Sequence, residues 1–308
     1  MTIGIAATGP NAGAAIIKAL AAVERHARGA IGGFVSLVGF GTDGEIIQAT
    51  TQTSGTAGLF NRSEIPDRFA SAPIAGLMSS GPNRPEPLAQ FTPAIEGVGL
   101  VTGHRLPNTR SPDGSRFNDK VLQRMANGFS AQAAIDAIIA EDPGADAGYI
   151  ALSANGDLAM ANAPRVEGRS DHGAALLRSP DGSNAVAVLH NAIHPRALIA
   201  VLASEIAMDA MQPPDSAIGW IRVTSGIPFV SAQQVQVVVD AQGAAKSILA
   251  PHSVFPGGSG SIGLGDRIEV VCEGKRLGYL GYEPFMTVTD NHLDKLDGVK
   301  ELTIPVCA

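Results

Sequence analysis

Short apolar strands joined by tight turns constrain the fold of this 308-residue chain more than any other feature. The run Gly33–Phe40 passes through Gly41–Gly44 into a second apolar run. The run Gly148–Ser153 does the same through Asn155-Gly156. Asp-Gly and Asn-Gly between apolar runs are strong short-range signals of a β-hairpin. The sequence therefore predicts antiparallel strand pairs at two separate places.

The hairpins belong to three segments with one plan, in which a strand is followed by helical stretches and by further strands. The segments cover residues 1–54, 97–163 and 184–240, and their helical stretches are Ala12–Ala27, Asn118–Ala126, Ala131–Ala140 (with Ser130 as N-cap) and Pro195–Met211. We interpret them as repeated β-α-β-β units, in which a helix covers one face of a sheet. The expected fold is α/β, with packed sheets flanked by helices in residues 1–249.

Two stretches depart from this plan. Gly55–Pro93 is rich in proline, which predicts a long loop without regular structure, and such loops are usually functional or disordered. Residues 250–308 are rich in glycine and short apolar runs, which predicts a β appendage packed on the core. Gly258–Gly263 fits a dinucleotide-binding pattern but precedes a strand rather than a helix, so we expect a turn there.

Composition excludes several classes of protein. A hydrophobic fraction of 45% and a charged fraction of 17% are typical of a globular domain. The net charge of −7, with dispersed basic residues, argues against nucleic-acid and anionic-membrane partners. Two cysteines cannot form a disulfide framework. We expect a cytoplasmic protein with a small-molecule substrate and no cofactor, and a homo-oligomer stays open.

Four short motifs occur in a distinctive order around the first two hairpins. They are Ala30–Val35, Gln52–Thr56, Asp67–Pro73 and Val101–His104. This order resembles the nucleophile-bearing half of the glycosylasparaginase and isoaspartyl-peptidase family of N-terminal-nucleophile hydrolases, over about residues 30–163. The resemblance implies two sheets sandwiched between helix layers, and a catalytic N-terminal threonine that uses its own amine as base.

The resemblance also implies roles for particular residues in hydrolysis of a small amide or isopeptide-like bond. Arg68 would grip a substrate carboxylate, with Ser71 and His104 beside the substrate. Thr102 and Gly103 would face the oxyanion. Ser54 would bind the nucleophile or replace it. We therefore predict that Arg68, Thr102 and Ser54 line one pocket.

Ala30 occupies the family's nucleophile position and has no atom that can attack, so we predict no self-cleavage before it. Thr2 offers a replacement, because initiator methionine is normally removed before small residues and an N-terminal threonine carries its own base. Without such a replacement, the chain would be an inactive relative that binds a small carboxylate or amide.

Two other readings stay open. His190 and His194 are four residues apart, and with His172 they are candidate metal ligands of a metal-dependent enzyme, although Pro195 makes a helical arrangement doubtful. We predict that these three and His104 do not all converge on one point. Repeated Ser-Gly pairs resemble those of ring-opening amidases of the cyanuric acid hydrolase and barbiturase family, but no lysine recurs beside them.

Overall fold

The computed structural model describes residues 1–61, 64–211, 217–251, 258–265 and 267–307. The chain forms two compact units, Met1–Gln212 and Pro213–Ala308. The boundary therefore falls before the predicted one at residue 249. The third predicted repeat is wrong, because the boundary divides it. None of the helices in the described ranges is both long and apolar enough to span a membrane.

The described part of the first unit contains the following strands and helices. The strands are β1 (Thr2–Thr8), β2 (Val35–Phe40), β3 (Ile46–Thr51), β4 (Ile74–Ser80), β5 (Ala94–Ile95), β6 (Gly99–Arg105), β7 (Ala147–Ser153), β8 (Leu158–Asn162), β9 (His172–Arg178) and β10 (Ala185–Asn191). The helices are α1 (Ala12–His26), α2 (Gly55–Leu59), α3 (Asp67–Ala70), α4 (Phe117–Ala126), α5 (Ala131–Glu141), α6 (Pro164–Glu167) and α7 (Arg196–Met211).

Two antiparallel sheets form the centre of the first unit. The first has the strand order β3-β2-β4-β1-β10-β9 and the second β5-β6-β7-β8. Helices α1 and α7 cover one sheet, and α4 and α5 cover the other. Leu100, Ile150 and Leu189 pack between the sheets. The chain is therefore mixed α/β with antiparallel sheets, in agreement with the predicted α/β class.

Helix α1 packs on the first sheet through an apolar stripe, and a glycine in α1 lets α3 approach it closely. Ile16, Leu20 and Val23 recur at helical spacing, and all three are fully buried against the first sheet. A side chain at Gly13 would begin 1.8 Å from the carbonyl oxygen of Phe69, so only glycine admits α3 at this distance. The apolar stripe therefore fixes which face of α1 meets the sheet.

Strand β4 lies inside Gly55–Pro93, where the sequence predicts a long loop, so that prediction is wrong. All seven residues of β4 are buried, and the strand pairs with both β1 and β2. A strand buried on both faces has no alternating pattern, and prolines at positions 73 and 82 flank it closely. The prolines mark the ends of the strand rather than its absence.

The second unit is built from strands in its described residues. They are β11 (Ala217–Thr224), β12 (Phe229–Ser231), β13 (Gln236–Val239), β14 (Ala245–Ala250), β15 (Gly260–Gly263), β16 (Glu269–Cys272), β17 (Lys275–Leu280), β18 (Phe285–Thr289), β19 (His292–Leu296) and β20 (Glu301–Cys307). Their sheet orders are β11-β20-β17-β16-β13-β14-β12 and β15-β18-β19. Ile221, Val237 and Ile304 belong to its own apolar core.

Candidate active site

Four neighbouring strands place polar side chains side by side at one end of the first sheet. Thr2 on β1 pairs with Ser80 on β4 and with Asn191 on β10. Asn191 in turn pairs with His172 on β9. Directly opposed residues on antiparallel strands share a face of the sheet. Ser80, Thr2, Asn191 and His172 therefore form one line, which we call the polar row.

The hydroxyl group of Thr2 is held from both sheets. Its Oγ1 donates to Asn191 Oδ1 at 2.8 Å and accepts the backbone N–H of Arg105, the last residue of β6. Because Arg105 belongs to the second sheet, the polar row faces the space between the sheets. Only 4% of Thr2 is exposed. The oxygen is therefore oriented by a donor and an acceptor within a largely dry environment.

A second set of polar side chains faces the polar row from the second sheet. His104 Nε2 lies 2.7 Å from Asn162 Oδ1, across Gly148 on the strand between them. A Cβ at Gly148 would lie 2.1 Å from Asn162 Oδ1 and 2.5 Å from His104 Nε2. Glycine is therefore required at position 148 for the histidine to reach the asparagine.

The hydrogen bonds of Asn162 determine which nitrogen of His104 carries the proton. Asn162 Nδ2 donates to Glu167 Oε1 at 2.9 Å, so the amide presents its oxygen to His104. An oxygen only accepts, so His104 Nε2 is the protonated nitrogen. Burial lowers the pKa of His104 to about 4, which keeps the ring neutral. His104 Nδ1 is then a buried lone pair, and it has no partner among the described residues.

Three guanidinium groups lie near the Met1 amine, whose pKa is lowered by burial and then by their charge. Arg105 pairs with Asp146, and Arg169 pairs with Asp171 at 2.7 Å. Arg84 instead donates from Nε to Ser80 Oγ at 2.7 Å, and within the described ranges it has no carboxylate partner. The unpaired guanidinium is therefore the one that contacts the polar row.

Gln52 holds the backbone of Arg84 in place, and the charge of Arg84 acts on the amine of Met1. Gln52 fixes Arg84 by accepting its N–H at 2.9 Å and donating to its carbonyl oxygen at 2.6 Å. The pKa of the Met1 amine is lowered by burial first, then by the charges of Arg84 and Arg105. An amine in this environment is therefore more often neutral than an exposed one.

Two of the predicted oxyanion groups have structural contacts instead. Thr102 is fully buried, and its Oγ1 donates to the carbonyl oxygen of Leu77 at 2.8 Å, which joins the two sheets. Gly103 lies against Gly4, where a Cβ would meet the Gly103 oxygen at 2.3 Å. Both residues hold the sheets together rather than lining a cavity.

The predicted carboxylate clamp lies elsewhere. Arg68 is exposed on α3, which packs on α1 outside the first sheet, whereas Thr102 lies between the sheets. Ser71 Oγ donates to the carbonyl oxygen of Asp67, and Ser54 is exposed with a left-handed φ of 69°. The prediction that Arg68, Thr102 and Ser54 line one pocket is therefore wrong. Short motifs do not encode the side of the sheet on which a loop packs.

The candidate metal ligands are also dispersed. His190 points away from the polar row, and its Nε2 lies 3.1 Å from the carbonyl oxygen of Arg196 at the start of α7. His194 is exposed, and His172 lies in the polar row with Nε2 3.9 Å from Glu167 Oε2. Among the residues that the structure describes, no three His, Cys, Asp or Glu side chains are grouped to hold a metal ion.

The structure thus brings together Thr2, His104 and His172 from the predicted set. Sequence reasoning missed Asn191, Asn162 and Arg84, and it named Ser80 only as part of a Ser-Gly pair similar to those of ring-opening amidases. Asn191 and Asn162 each end an apolar strand, and a polar residue in that position is the signal that marks them. Ser80 ends β4, which the prolines around it concealed.

Comparisons with known proteins give families rather than functions. Residues 2–220 match the model of a family described as a domain of unknown function, DUF6963. Residues 226–301 match a second domain of unknown function, DUF7259. A search of curated proteins found no match to the chain. The first match contains all the residues of the candidate site.

Proposed function

The chain belongs to the DUF6963 family, and we propose that it hydrolyses an amide bond in a small substrate that carries a carboxylate. Thr2 is the nucleophile of this reaction. It becomes competent when the peptide bond between Met1 and Thr2 is cut, because its own α-amine is then free to act as base.

The hydroxyl geometry of Thr2 is the single observation that carries this proposal. A backbone N–H directed at Oγ1 stabilises negative charge as it develops on that oxygen. Asn191 fixes the direction of the hydroxyl proton. Thr2 lies on an inner strand of the first sheet and its side chain faces the second sheet, which is consistent with an N-terminal-nucleophile hydrolase fold.

This proposal moves the nucleophile from the position suggested by local motifs. Ala30 precedes β2, and its backbone N–H donates to the sulfur of Met1 at 3.0 Å. Ala30 therefore lies beside the chain start without being the reacting residue. The layered sheets support a relation to the N-terminal-nucleophile hydrolases, with Thr2 rather than residue 30 at the head of the catalytic strand.

The reaction follows from these groups. Thr2 Oγ1 attacks the amide carbon while its proton passes to the α-amine, which then protonates the departing nitrogen. Burial of Thr2 disfavours a charged amine there, which favours the neutral form that accepts the proton. Water then cleaves the acyl–threonine ester, releasing a carboxylic acid and restoring Oγ1.

Arg84 takes the role that the motifs had given to Arg68. Its guanidinium contacts Ser80 in the polar row, and its backbone is fixed by Gln52. A guanidinium that lacks an internal carboxylate partner is suited to bind a carboxylate from outside. We therefore assign the substrate carboxylate to Arg84.

The test is hydrolysis of a panel of anilides whose acyl groups end in a carboxylate, beginning with succinyl and glutaryl p-nitroanilide. Intact mass first establishes that the chain begins at Thr2. Thr2→Ala should reduce kcat/KM by roughly 10³-fold or more, and Thr2→Ser should retain part of it. Thr8→Ala is the matched control, because Thr8 ends the same strand at the far end of the sheet. Equal loss in Thr2→Ala and Thr8→Ala would contradict the proposal.

A further inference from the structure

The unpartnered nitrogen of His104 is the most informative group that the proposed reaction leaves unused. His104 is fully buried, and its Nδ1 has no partner in the described part of the chain. A buried acceptor without a hydrogen bond is costly, so such a group calls for a donor that the protein itself does not supply.

The backbone places His104 next to the residue that contacts the reacting oxygen. His104 directly precedes Arg105, whose N–H binds Thr2 Oγ1. Its ring faces the polar row, because Nε2 reaches Asn162 along the inner face of the second sheet.

The ring cannot switch to become a donor. Glu167 fixes the amide of Asn162, Asn162 fixes the proton on Nε2, and the low pKa keeps Nδ1 unprotonated at neutral pH. Protonation of Nδ1 would place a charge in a buried site. His104 therefore presents a permanent acceptor.

We propose that His104 Nδ1 accepts a hydrogen bond from the N–H of the substrate's amide, so that the site is selective for amides over the corresponding esters. This inference rests on the proposed function and names its substrate class: a small molecule with a carboxylate for Arg84 and an amide N–H for His104. A site built to accept a hydrogen bond discriminates against an analogue that lacks the donor.

The test compares two ligands that differ at one end. Succinamate carries a carboxylate and a primary amide, and monomethyl succinate carries a methyl ester in place of the amide. Their binding to the full chain with Thr2→Ala, in which neither ligand is turned over, is measured by calorimetry. We expect succinamate to bind about tenfold more tightly, since an unmet buried acceptor penalises the ester.

Two variants assign this preference to one nitrogen. His104→Phe should remove the preference by weakening succinamate alone, whereas His190→Phe should preserve it. His190 is the matched control, because it is also buried with an unpartnered Nδ1, but it faces α7. Equal affinity for the two ligands before mutation, or an undiminished preference in His104→Phe, would overturn the inference.

A measurement on the unmutated ring covers the case in which His104→Phe does not fold. Long-range ¹H–¹⁵N NMR of the Thr2→Ala chain should show His104 protonated at Nε2, and succinamate should shift the Nδ1 resonance. An Nδ1 resonance unmoved by saturating succinamate would refute the inference. These experiments measure binding and not turnover. If the chain hydrolyses no anilide but still binds succinamate more tightly than the ester, the proposed reaction is rejected and the inference about His104 stands.

Discussion

The two ends of strand β1 differ sharply in what lies between the sheets. At the Thr2 end, hydroxyl, amide and imidazole groups occupy this space, as Thr2, Asn191 and His104 show. At the Thr8 end, the strand pairs with Ile74 and Ala185, which belong to the apolar cluster between the sheets. The same pair of sheets therefore buries polar groups at one end and apolar groups at the other.

Two carboxylates in turns at the far end are exposed and locally satisfied. Asp43 and Asp181 accept backbone N–H groups two residues further along their own turns. A cavity of about 620 Å³ lies at this end, lined by residues that include Phe129 and Asp157. Asp157 there already accepts the N–H of Ala131 at the start of α5.

The comparison teaches that the Thr2 end is maintained at a cost in stability. Burying a polar group without a partner is unfavourable by about 1–3 kcal/mol, and the far end avoids this. A ligand bound at the Thr2 end would supply the missing hydrogen bond, which would explain why this loss of stability is retained. The following predictions test this asymmetry, from the largest expected effect to the smallest.

Gly148→Ala should destabilise the fold most. The added methyl group would overlap both Asn162 Oδ1 and the His104 ring, so the His104–Asn162 bond must break or the strands must separate. We expect a loss of about 3 kcal/mol in the free energy of unfolding, measured by urea denaturation. Gly168→Ala is the control, because its new methyl group would have its nearest contact at 3.6 Å. Equal losses of unfolding free energy in Gly148→Ala and Gly168→Ala would contradict the claim that the His104–Asn162 contact requires glycine at position 148.

Acid should destabilise the first unit through its buried histidines. Burial lowers the pKa of His104 and of His190 from 6.5 to about 4. The unfolded chain therefore binds more protons below pH 6.5, so stability is complete above that pH and falls as pH drops towards 4. Each histidine should contribute roughly 3 kcal/mol to this loss.

His104→Phe should remove about half of the loss of stability between pH 6.5 and 4, because His190 remains, and the exposed His292→Gln should not change it. Asp181 at the far end has a pKa lowered to about 2 by its serine hydroxyl and backbone partners, so it titrates below this window. Unchanged pH dependence in His104→Phe, by denaturant titration, would show that the ring is not held neutral by burial.

Arg84→Ala should weaken succinamate binding about tenfold, as expected for loss of a charge-assisted hydrogen bond, with little change in Tm. Arg68→Ala is the matched control, and we expect neither property to change by more than experimental error. Arg68 is exposed, and its guanidinium lies over the Phe69 ring at 5.2 Å. Equal succinamate affinity in Arg84→Ala and Arg68→Ala would contradict the assignment of the substrate carboxylate to Arg84.

Much of the fold could be read from local signals. The predicted helix at Ala131–Ala140 is observed as Ala131–Glu141, and Ser130 Oγ accepts the N–H of Ala133 as the predicted N-cap. The hairpin turns at Gly41–Gly44 and Asn155-Gly156 are also confirmed. These features depend on neighbouring residues alone, which is why sequence suffices for them.

The site was harder to predict, because it depends on contacts between distant residues. Thr2 and Arg105 meet only when the two sheets stack, and Thr2 and Asn191 meet only through the strand order β1-β10. Overlooking β4 also hid Ser80 and the loop that carries Arg84. Thr2 was identified because it follows the initiator methionine and His104 because of a family resemblance, and neither argument indicates their partners.

The most direct test of the central claim is the site of acylation. The full chain, shown by intact mass to begin at Thr2, is mixed with the p-nitrophenyl monoester of succinic acid, quenched in acid during turnover and mapped by peptide mass spectrometry. The account predicts a succinyl group on the N-terminal peptide, located at the Thr2 side chain by fragmentation and missing in Thr2→Ala. A succinyl group on another residue, or turnover with no acylated Thr2 peptide, would contradict it.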